Sequence, residues 1–289
     1  MDKKIIIACD STCDLGSDIT ERYKIKVLPL FINLGEEQYL DGVDITPDMI
    51  YKRYEESGIL PKTAAPSIAD LEDFFAEHTS DGKAVVFFTI SAEMSSTFAH
   101  AKIAAESFSD VYVVDTKNLS SGGGLLVLSA VDMVDKGMSA GDIAKACEKL
   151  TEYVDASFVI DNLEFLHKGG RCSAVAAFGA NLLQLKPCIA VSEGKMSVGK
   201  KYRGKFPMTL EKYIEDRLGD GSGIMLDRVF VTHAGCDEEI YSACLEKVKS
   251  IAQFKEVLLA RAGCTISSHC GRNTLGVLFI RDPESEKSL

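Results

Sequence analysis

The first half of the chain alternates short, largely apolar segments with helical patterns, and this alternation constrains the fold more than any other feature. The segment Ala84–Thr89 reads Ala-Val-Val-Phe-Phe-Thr, and similar segments lie at 4–9, 26–33 and 111–115. The helical patterns between them cover residues 67–77, 96–108, 119–136 and 139–154. Apolar strands separated by helices are typical of a parallel sheet covered on both faces. We therefore expect an α/β domain on a parallel sheet over residues 1–155, in which segments 4–9 and 84–89 are neighbours and residues 35–58 form an excursion.

The second half has a different pattern, which favours antiparallel pairing. Glu193-Gly194 separates two strand-like segments and is a hairpin signal. Helical patterns cover residues 173–183 and 236–251. The strand-like segments are 157–160, 187–192, 195–201, 228–233, 256–261 and 275–281. We expect a mixed-sheet α/β domain over residues 156–282 and a loose tail at 283–289, since 289 residues accommodate two domains of ordinary size.

Composition excludes several classes of protein. With 32 Lys and Arg against 43 Asp and Glu, the net charge of −11 argues against binding to nucleic acid or to an anionic membrane surface. The longest apolar stretch, 122–134, is interrupted by Ser129 and Asp132 and is shorter than the roughly 18–20 residues of a membrane-spanning helix. The nine cysteines form no C-x-x-C pair, so we expect buried reduced thiols, no metal site and a cytoplasmic protein.

Two nucleotide-binding motifs are nearly present, and both fail. Residues 194–200 have the spacing of a phosphate-binding loop, but Lys201 occupies the position where Ser or Thr would hold magnesium. The run 122–124 is a triple glycine, but the third glycine position of a dinucleotide fingerprint is Val127. We therefore expect no nucleotide cofactor. The triple glycine instead indicates a helix that begins close to the sheet or to a ligand.

The loop after the segment Ala84–Thr89 is the first candidate binding site. Residues 91–97 carry Ser91, Ser95, Ser96 and Thr97 and then open a helix. Hydroxyl groups and free backbone N–H groups at a helix N-terminus favour an anion, and the carboxyl ends of parallel strands are where such sheets bind ligands. A purely structural interpretation, in which a serine only caps the helix, stays open.

Three further segments add charge or a titratable side chain to this picture. Residues 168–171 put Arg171 after a glycine turn, residues 200–205 form a basic run, and residues 263–271 bring His269 into what we expect to be a loop between strands. A serine, a histidine and an acid also permit a Ser/His-dependent hydrolase or a small-anion transferase. No G-x-S-x-G motif surrounds the serines, so the sequence offers no direct support for a catalytic triad.

Taken in order along the chain, these motifs resemble those of the DegV family, whose studied members include the fatty-acid-binding subunits of bacterial fatty acid kinase. The resemblance spans roughly residues 4–281. It rests on residues 10–15 (Asp-Ser-Thr-Cys-Asp-Leu), 62–67 (Lys-Thr-Ala-Ala-Pro-Ser), 91–97, 166–171 (Leu-His-Lys-Gly-Gly-Arg), 185–187, Arg203, 233–235 and 268–271.

The resemblance implies a flavodoxin-like N-terminal domain, a C-terminal α/β domain and a long-chain fatty acid bound between them. It implies a non-catalytic carrier without a cofactor, which presents the fatty acid carboxylate to a partner kinase for acyl-phosphate formation. The carboxylate ligands that it implies are Thr63, Ser95 with its neighbour Ser96, Arg171 and His269. Arg203 and Ser268 would lie behind these ligands or face the partner.

For the acyl chain, we expect contact with the predicted helix 173–183, whose residues Val175, Phe178 and Leu182 share one face. Three positions depart from the family pattern: Ser96 replaces a glycine, Ala64 replaces a serine, and residues 269–273 differ from the usual H-x-G-P-G. These departures concern the geometry at the head group of the ligand rather than the fold.

Overall fold

The structure is a computed structural model that describes residues 4–172 and 185–285. Its strands are β1 (Ile5–Asp10), β2 (Lys26–Leu28), β3 (Phe31–Leu34), β4 (Glu37–Leu40), β5 (Lys62–Ala64), β6 (Ala84–Thr89), β7 (Val111–Asp115), β8 (Val154–Ile160), β9 (Leu185–Ser192), β10 (Lys195–Arg203), β11 (Ile224–Ala234), β12 (Glu256–Arg261) and β13 (Thr274–Arg281). Its α-helices are α1 (Ser17–Tyr23), α2 (Pro47–Ser57), α3 (Ile68–Thr79), α4 (Thr97–Ala105), α5 (Ser121–Asp135), α6 (Ala140–Leu150), α7 (Glu164–Gly169), α8 (Phe206–Leu218), α9 (Glu238–Ile251) and α10 (Cys264–Cys270).

A four-stranded parallel sheet organises the first half, in the order β2-β1-β6-β7. As predicted, β1 and β6 are neighbours, with Ile7 opposite Val86. Every residue of β6 is buried, because α3 and α4 cover one face of the sheet and α5 and α6 cover the other. The uninterrupted apolar sequence of β6 is therefore explained by burial on both sides.

A six-stranded mixed sheet organises the second half, in the order β10-β9-β8-β13-β11-β12. Only β11 and β12 pair in parallel, and the other pairs are antiparallel. Glu193 and Gly194 join β9 to β10 with φ angles of 49° and 79°, as a tight hairpin turn requires, so the hairpin prediction is confirmed. The observed architecture confirms the expected α/β class with one parallel and one mixed sheet.

A small antiparallel sheet, in the order β4-β3-β5, is added to the first half. It divides the single strand predicted over residues 26–33, because β2 belongs to the parallel sheet and β3 to the small one. Pro29 lies between them, and a proline has no N–H to continue a ladder and restricts the residue before it. Beyond β5, Ser67 caps α3 in a reciprocal capping box with Asp70.

Helix α5 lies between the two large sheets and joins them in one apolar core. That core contains Val86 and Phe88 from the parallel sheet together with Phe230 and Leu278 from the mixed sheet. The triple glycine at the start of α5 permits this close approach, since a Cβ on Gly124 would lie 2.9 Å from the carbonyl oxygen of Cys13. The interpretation of the triple glycine as a packing device is confirmed.

Two sequence-based expectations about helices need correction, and a third cannot be compared. The helical pattern over 139–154 ends earlier, at Leu150, and a 3₁₀ turn then leads into β8 at Val154. The segment expected to be a loop around His269 is the helix α10. The predicted helix 173–183 lies outside the described residues.

Candidate ligand-binding site

A cavity of about 400 Å³ lies between the parallel-sheet half and the mixed-sheet half of the molecule. Its walls come from β5, the loop after β6, the end of α7, the strands β8 and β10, and α10. Most of its lining is apolar, including Leu30, Ile90, Met94, Leu119, Phe158, Leu166, Met196 and Ile266. The polar lining residues are Thr63, Ser95, Ser96, His100, Arg171, Thr265 and His269. The cavity therefore suits a ligand with a large apolar part and one polar group.

Thr63 and His269 form the central polar contact of the cavity. Thr63 lies on β5, and its Oγ1 is 3.0 Å from Nε2 of His269 on α10. The two residues are separated by 206 positions in the sequence. Their contact exists because β5 pairs with β3 in the small sheet and α10 packs beside that sheet.

Ser95 and Ser96 lie where the loop after β6 enters α4. The Ser95 hydroxyl is 2.9 Å from the Thr97 hydroxyl and accepts a hydrogen bond from the Thr97 N–H. Ser96 occupies the N-cap position of α4, makes no side-chain cap and is exposed. Ser95 therefore both supports the helix start and lines the cavity, which joins the two interpretations left open by the sequence.

Arg171 follows the glycine turn that ends α7. Gly170 has a φ of 68°, the left-handed conformation that glycine adopts without strain, and Arg171 Nη1 donates to the carbonyl oxygen of Gly169 at 2.9 Å. A Cβ on Gly169 would lie 2.5 Å from Nδ1 of His269, so glycine is required here for the histidine ring to fit. The guanidinium group is exposed and brings a positive charge to the cavity.

His269 is held in a mostly desolvated position. Burial, with a smaller contribution from the charge of Arg171, lowers the pKa of His269 to about 4, so its ring is neutral at pH 7. Its Nδ1 atom is buried and has no hydrogen-bond partner. This nitrogen faces the backbone of Gly169, where an added Cβ would come within 2.5 Å of it.

Thr265 is a lining residue that the sequence analysis missed. It precedes His269 by one helical turn on α10, so both side chains lie on the same face. Its Oγ1 is buried without a hydrogen-bond partner, although the residue lines the cavity. The spacing of Thr265 and His269 in the sequence indicates a shared face only if residues 264–270 are recognised as a helix.

The hairpin between β9 and β10 closes one side of the cavity. At its turn, the carbonyl oxygen of Gly194 accepts a hydrogen bond of 2.8 Å from the buried Ser91 hydroxyl, and Lys195 pairs with Glu93 at 3.3 Å. These contacts hold the hairpin against the loop after β6. Met196 and Met94, which follow the two contact points, both line the cavity.

Other residues named from the sequence lie elsewhere. Ser268 is buried and donates to the carbonyl oxygen of Cys264 within α10, and Arg203 is exposed at the end of β10. The predicted chain contacts Val175, Phe178 and Leu182 lie outside the described residues. Among the described residues, the Ser95 hydroxyl is hydrogen-bonded to Thr97 and the His269 ring to Thr63, and the structure shows no hydrogen bond between Ser95 and His269.

Three further observations concern the described residues. No group of three or more His, Cys, Asp or Glu side chains within residues 4–172 and 185–285 is arranged to hold a metal ion. None of the helices over these same ranges is long and apolar enough to cross a membrane. All nine cysteines are buried and none is in a disulfide bond, as expected from their spacing.

The fold and the cavity together define a class: an α/β protein with one parallel and one mixed sheet, and an internal binding cavity between them. The family model described as "Uncharacterised protein, DegV family" matches residues 4–282, and the chain belongs to this family. A DegV domain-containing protein of Clostridium acetobutylicum is 31% identical over 280 residues, covering 96% of this chain and 99% of that protein.

Solved structures of the same family have the same fold. A fatty-acid-binding DegV family protein from Thermus thermophilus superposes with a TM-score of 0.87 at 30% identity, covering 96% of this chain and 99% of the other. A stearic-acid-binding protein from Eubacterium ventriosum superposes with a TM-score of 0.82 at 28% identity, covering 99% and 100%. Both of these relatives bind fatty acids, which for the E. ventriosum protein is stearic acid.

Proposed function

We propose that the protein is a carrier that binds a long-chain fatty acid in the cavity between its two halves. The carboxylate would meet Thr63, Ser95, Arg171 and His269, with Ser96 at the edge of the site. The observation that carries the proposal is a polar cluster, including a buried Thr265 hydroxyl without a hydrogen-bond partner, in an otherwise apolar cavity. The fatty acids bound by the relatives from T. thermophilus and E. ventriosum support the same ligand class.

Energetics favour an acyl chain as the main source of affinity. Burying about 14 methylene groups at ~0.8 kcal/mol each contributes ~11 kcal/mol before any cost is subtracted. Burying an unpaired carboxylate would cancel much of this gain, so hydrogen-bond donors and a cation are needed at one end. Thr63, Ser95 and Arg171 supply them, and Leu119, Phe158 and Ile266 supply apolar surface farther in. Contacts with Val175, Phe178 and Leu182 remain part of the proposal.

Presentation to a kinase is the second part of the proposal. Ser96 and Arg171 are exposed while lining the cavity, so the head group would be accessible from outside the protein. An accessible carboxylate suits phosphorylation by a separate subunit that supplies ATP, and the carrier itself would be non-catalytic. Incubation with ATP, a fatty acid kinase subunit and hydroxylamine should give the acyl hydroxamate. The carrier without the kinase should give none.

Native mass spectrometry of the freshly purified protein tests ligand binding. We expect an added mass in the fatty acid range that delipidation removes and palmitate restores. Ser95→Ala should weaken palmitate binding by roughly ten- to a hundredfold, because a hydrogen bond to a charged group contributes about 1.5–3 kcal/mol. Ser139→Ala, which removes a cap from α6 away from the cavity, is the matched control and should leave binding unchanged. An empty protein that hydrolyses esters would contradict the proposal.

A further inference from the structure

Three buried aspartates converge behind the cavity. Asp10, Asp14 and Asp41 expose 0%, 6% and 4% of their surfaces. Burying a carboxylate costs free energy unless it is hydrogen-bonded. Burial is accordingly the main cause that raises the pKa of Asp10 to about 6 and the pKa of Asp14 well above its usual range. Carboxyl groups that are buried at such a cost need a structural or functional explanation. The hydrogen bonds that Asp14 and Asp41 accept supply one.

Asp14 and Asp41 together hold the N-terminus of α10. Asp14 Oδ1 accepts the N–H of Gly263 at 2.8 Å. Asp41 Oδ1 accepts the N–H of Cys264 at 2.7 Å, and its Oδ2 accepts the N–H of Thr265 at 3.0 Å. These N–H groups begin the helix and have no partner within it.

The two carboxylates are fixed in turn by other parts of the chain. The Ser120 hydroxyl donates to Asp14 Oδ2, and the Ser11 hydroxyl donates to Asp41 Oδ2 at 3.0 Å. A Cβ on Gly263 would lie 3.0 Å from Asp14 Oδ1 and 3.3 Å from Asp41 Oδ1, so the carboxylates close around a glycine. We call Asp14 and Asp41 the carboxylate clamp. It connects α10 to the first βα turn and to the segment 35–58.

The clamp lies one turn from the polar cluster. Asp41 holds the backbone of Thr265, whose side chain lines the cavity, and His269 follows on the same face of α10. Since α10 has only seven residues, a displacement of its first turn displaces the whole helix. We propose that Asp41, assisted by Asp14, is a positioning residue that places Thr265 and His269 against Thr63 and thereby sets the head-group geometry of the cavity.

This inference rests on the proposed function, and it predicts a loss that is selective for the carboxylate. Asn at position 41 retains one acceptor oxygen for two helix N–H groups, so Asp41→Asn should let α10 shift. We expect affinity for palmitate to fall about tenfold, as for a weakened hydrogen bond to a charged group. Affinity for hexadecanol, which has the same chain but no carboxylate, should change less than about twofold. Isothermal titration calorimetry on the full, delipidated chain measures both.

The control separates positioning from general loss of stability. Ser139→Ala also removes a hydrogen bond to a helix N-terminus, that of α6, and should leave both affinities unchanged. Equal losses for palmitate and hexadecanol in Asp41→Asn, or no loss for either, would overturn the inference. If Asp41→Asn does not fold, Ser11→Ala removes the hydroxyl that fixes Asp41 and should give a smaller loss with the same selectivity.

A second measurement judges the clamp without a ligand. In Asp41→Asn the ring of His269 should leave its desolvated contact with Thr63, so NMR titration should find its pKa moved upward from about 4. An unchanged titration in the folded variant would overturn the inference. If the wild-type protein binds neither palmitate nor hexadecanol, the proposed function is wrong. The positioning role of Asp41 would then be tested by the His269 titration alone.

Discussion

Buried polar atoms without partners are the most direct indication, at the scale of single residues, of where a ligand belongs. The described chain has few of them, and the two on α10, Thr265 Oγ1 and His269 Nδ1, belong to residues that line the cavity. An unsatisfied buried donor costs about 1–3 kcal/mol. A carboxylate that accepts the hydroxyl hydrogen of Thr265 would recover part of this cost. Ligand binding therefore explains these polar atoms of the cavity better than the stability of the fold does.

Thr265→Val tests this interpretation with a substitution that conserves shape. The variant should bind palmitate about tenfold more weakly, because one hydrogen bond to the charged head group is lost. The stability of the empty protein should stay the same or rise slightly, since the removed hydroxyl has no partner. Calorimetric titration and thermal unfolding measure the two quantities. Ser268→Ala on the same helix is the control, because that hydroxyl bonds within α10, and it should not alter affinity.

At the scale of elements, the sequence predicted best those segments whose structure is determined locally. The bounds of β6, β7 and β12 match their apolar runs. Helix α10 was missed because it is short and is held by Asp14 and Asp41, which lie 249 and 223 residues from their partners. No periodicity in residues 264–270 encodes such contacts.

The residues of the candidate site also differ in how far the sequence alone could predict them. Thr63, Ser95, Arg171 and His269 were named through motifs of the family, and the structure brings them to one cavity. Thr265 has no distinctive motif, and its relation to the cavity depends on the helix that carries it. Whether these residues bind a carboxylate stays a prediction, as do the chain contacts predicted on helix 173–183.

The start of α5 gives a testable case of an element determined by packing. A Cβ on Gly124 would lie 2.9 Å from both the Cys13 carbonyl oxygen and the Leu15 side chain, so Gly124→Ala should push the helix away from the turn that follows β1. We expect a loss of about 1–3 kcal/mol in the free energy of unfolding, as for overpacked cores. Denaturant titration measures it. Gly199→Ala, where the nearest atom is 3.5 Å away, should change stability by less than about 0.5 kcal/mol.

At the scale of the whole molecule, polar contacts as well as the shared core connect the two halves. Arg228 on β11 donates to both carboxylate oxygens of Asp132 on α5 and to Glu256 on β12. Glu256 also accepts from Tyr23 and pairs with Arg22, both on α1. The Arg228 side chain is only 14% exposed, and its ionic partners strongly favour its charged form, which raises its pKa. This network joins α1 and α5 to the mixed sheet.

Because core and network are shared, we expect the empty protein to unfold in a single calorimetric transition. Arg228→Gln should lower the free energy of unfolding by about 2 kcal/mol, since hydrogen bonds to charged groups contribute about 1.5–3 kcal/mol each and partial exposure of the partner carboxylates reduces the loss. The variant should still unfold in a single calorimetric transition, at a lower temperature than the wild type. Lys255→Gln, which removes an ion pair with Asp227 on the exposed surface, should have almost no effect. Two separate transitions in Arg228→Gln would mean that this network, rather than the core around α5, makes the two halves unfold together.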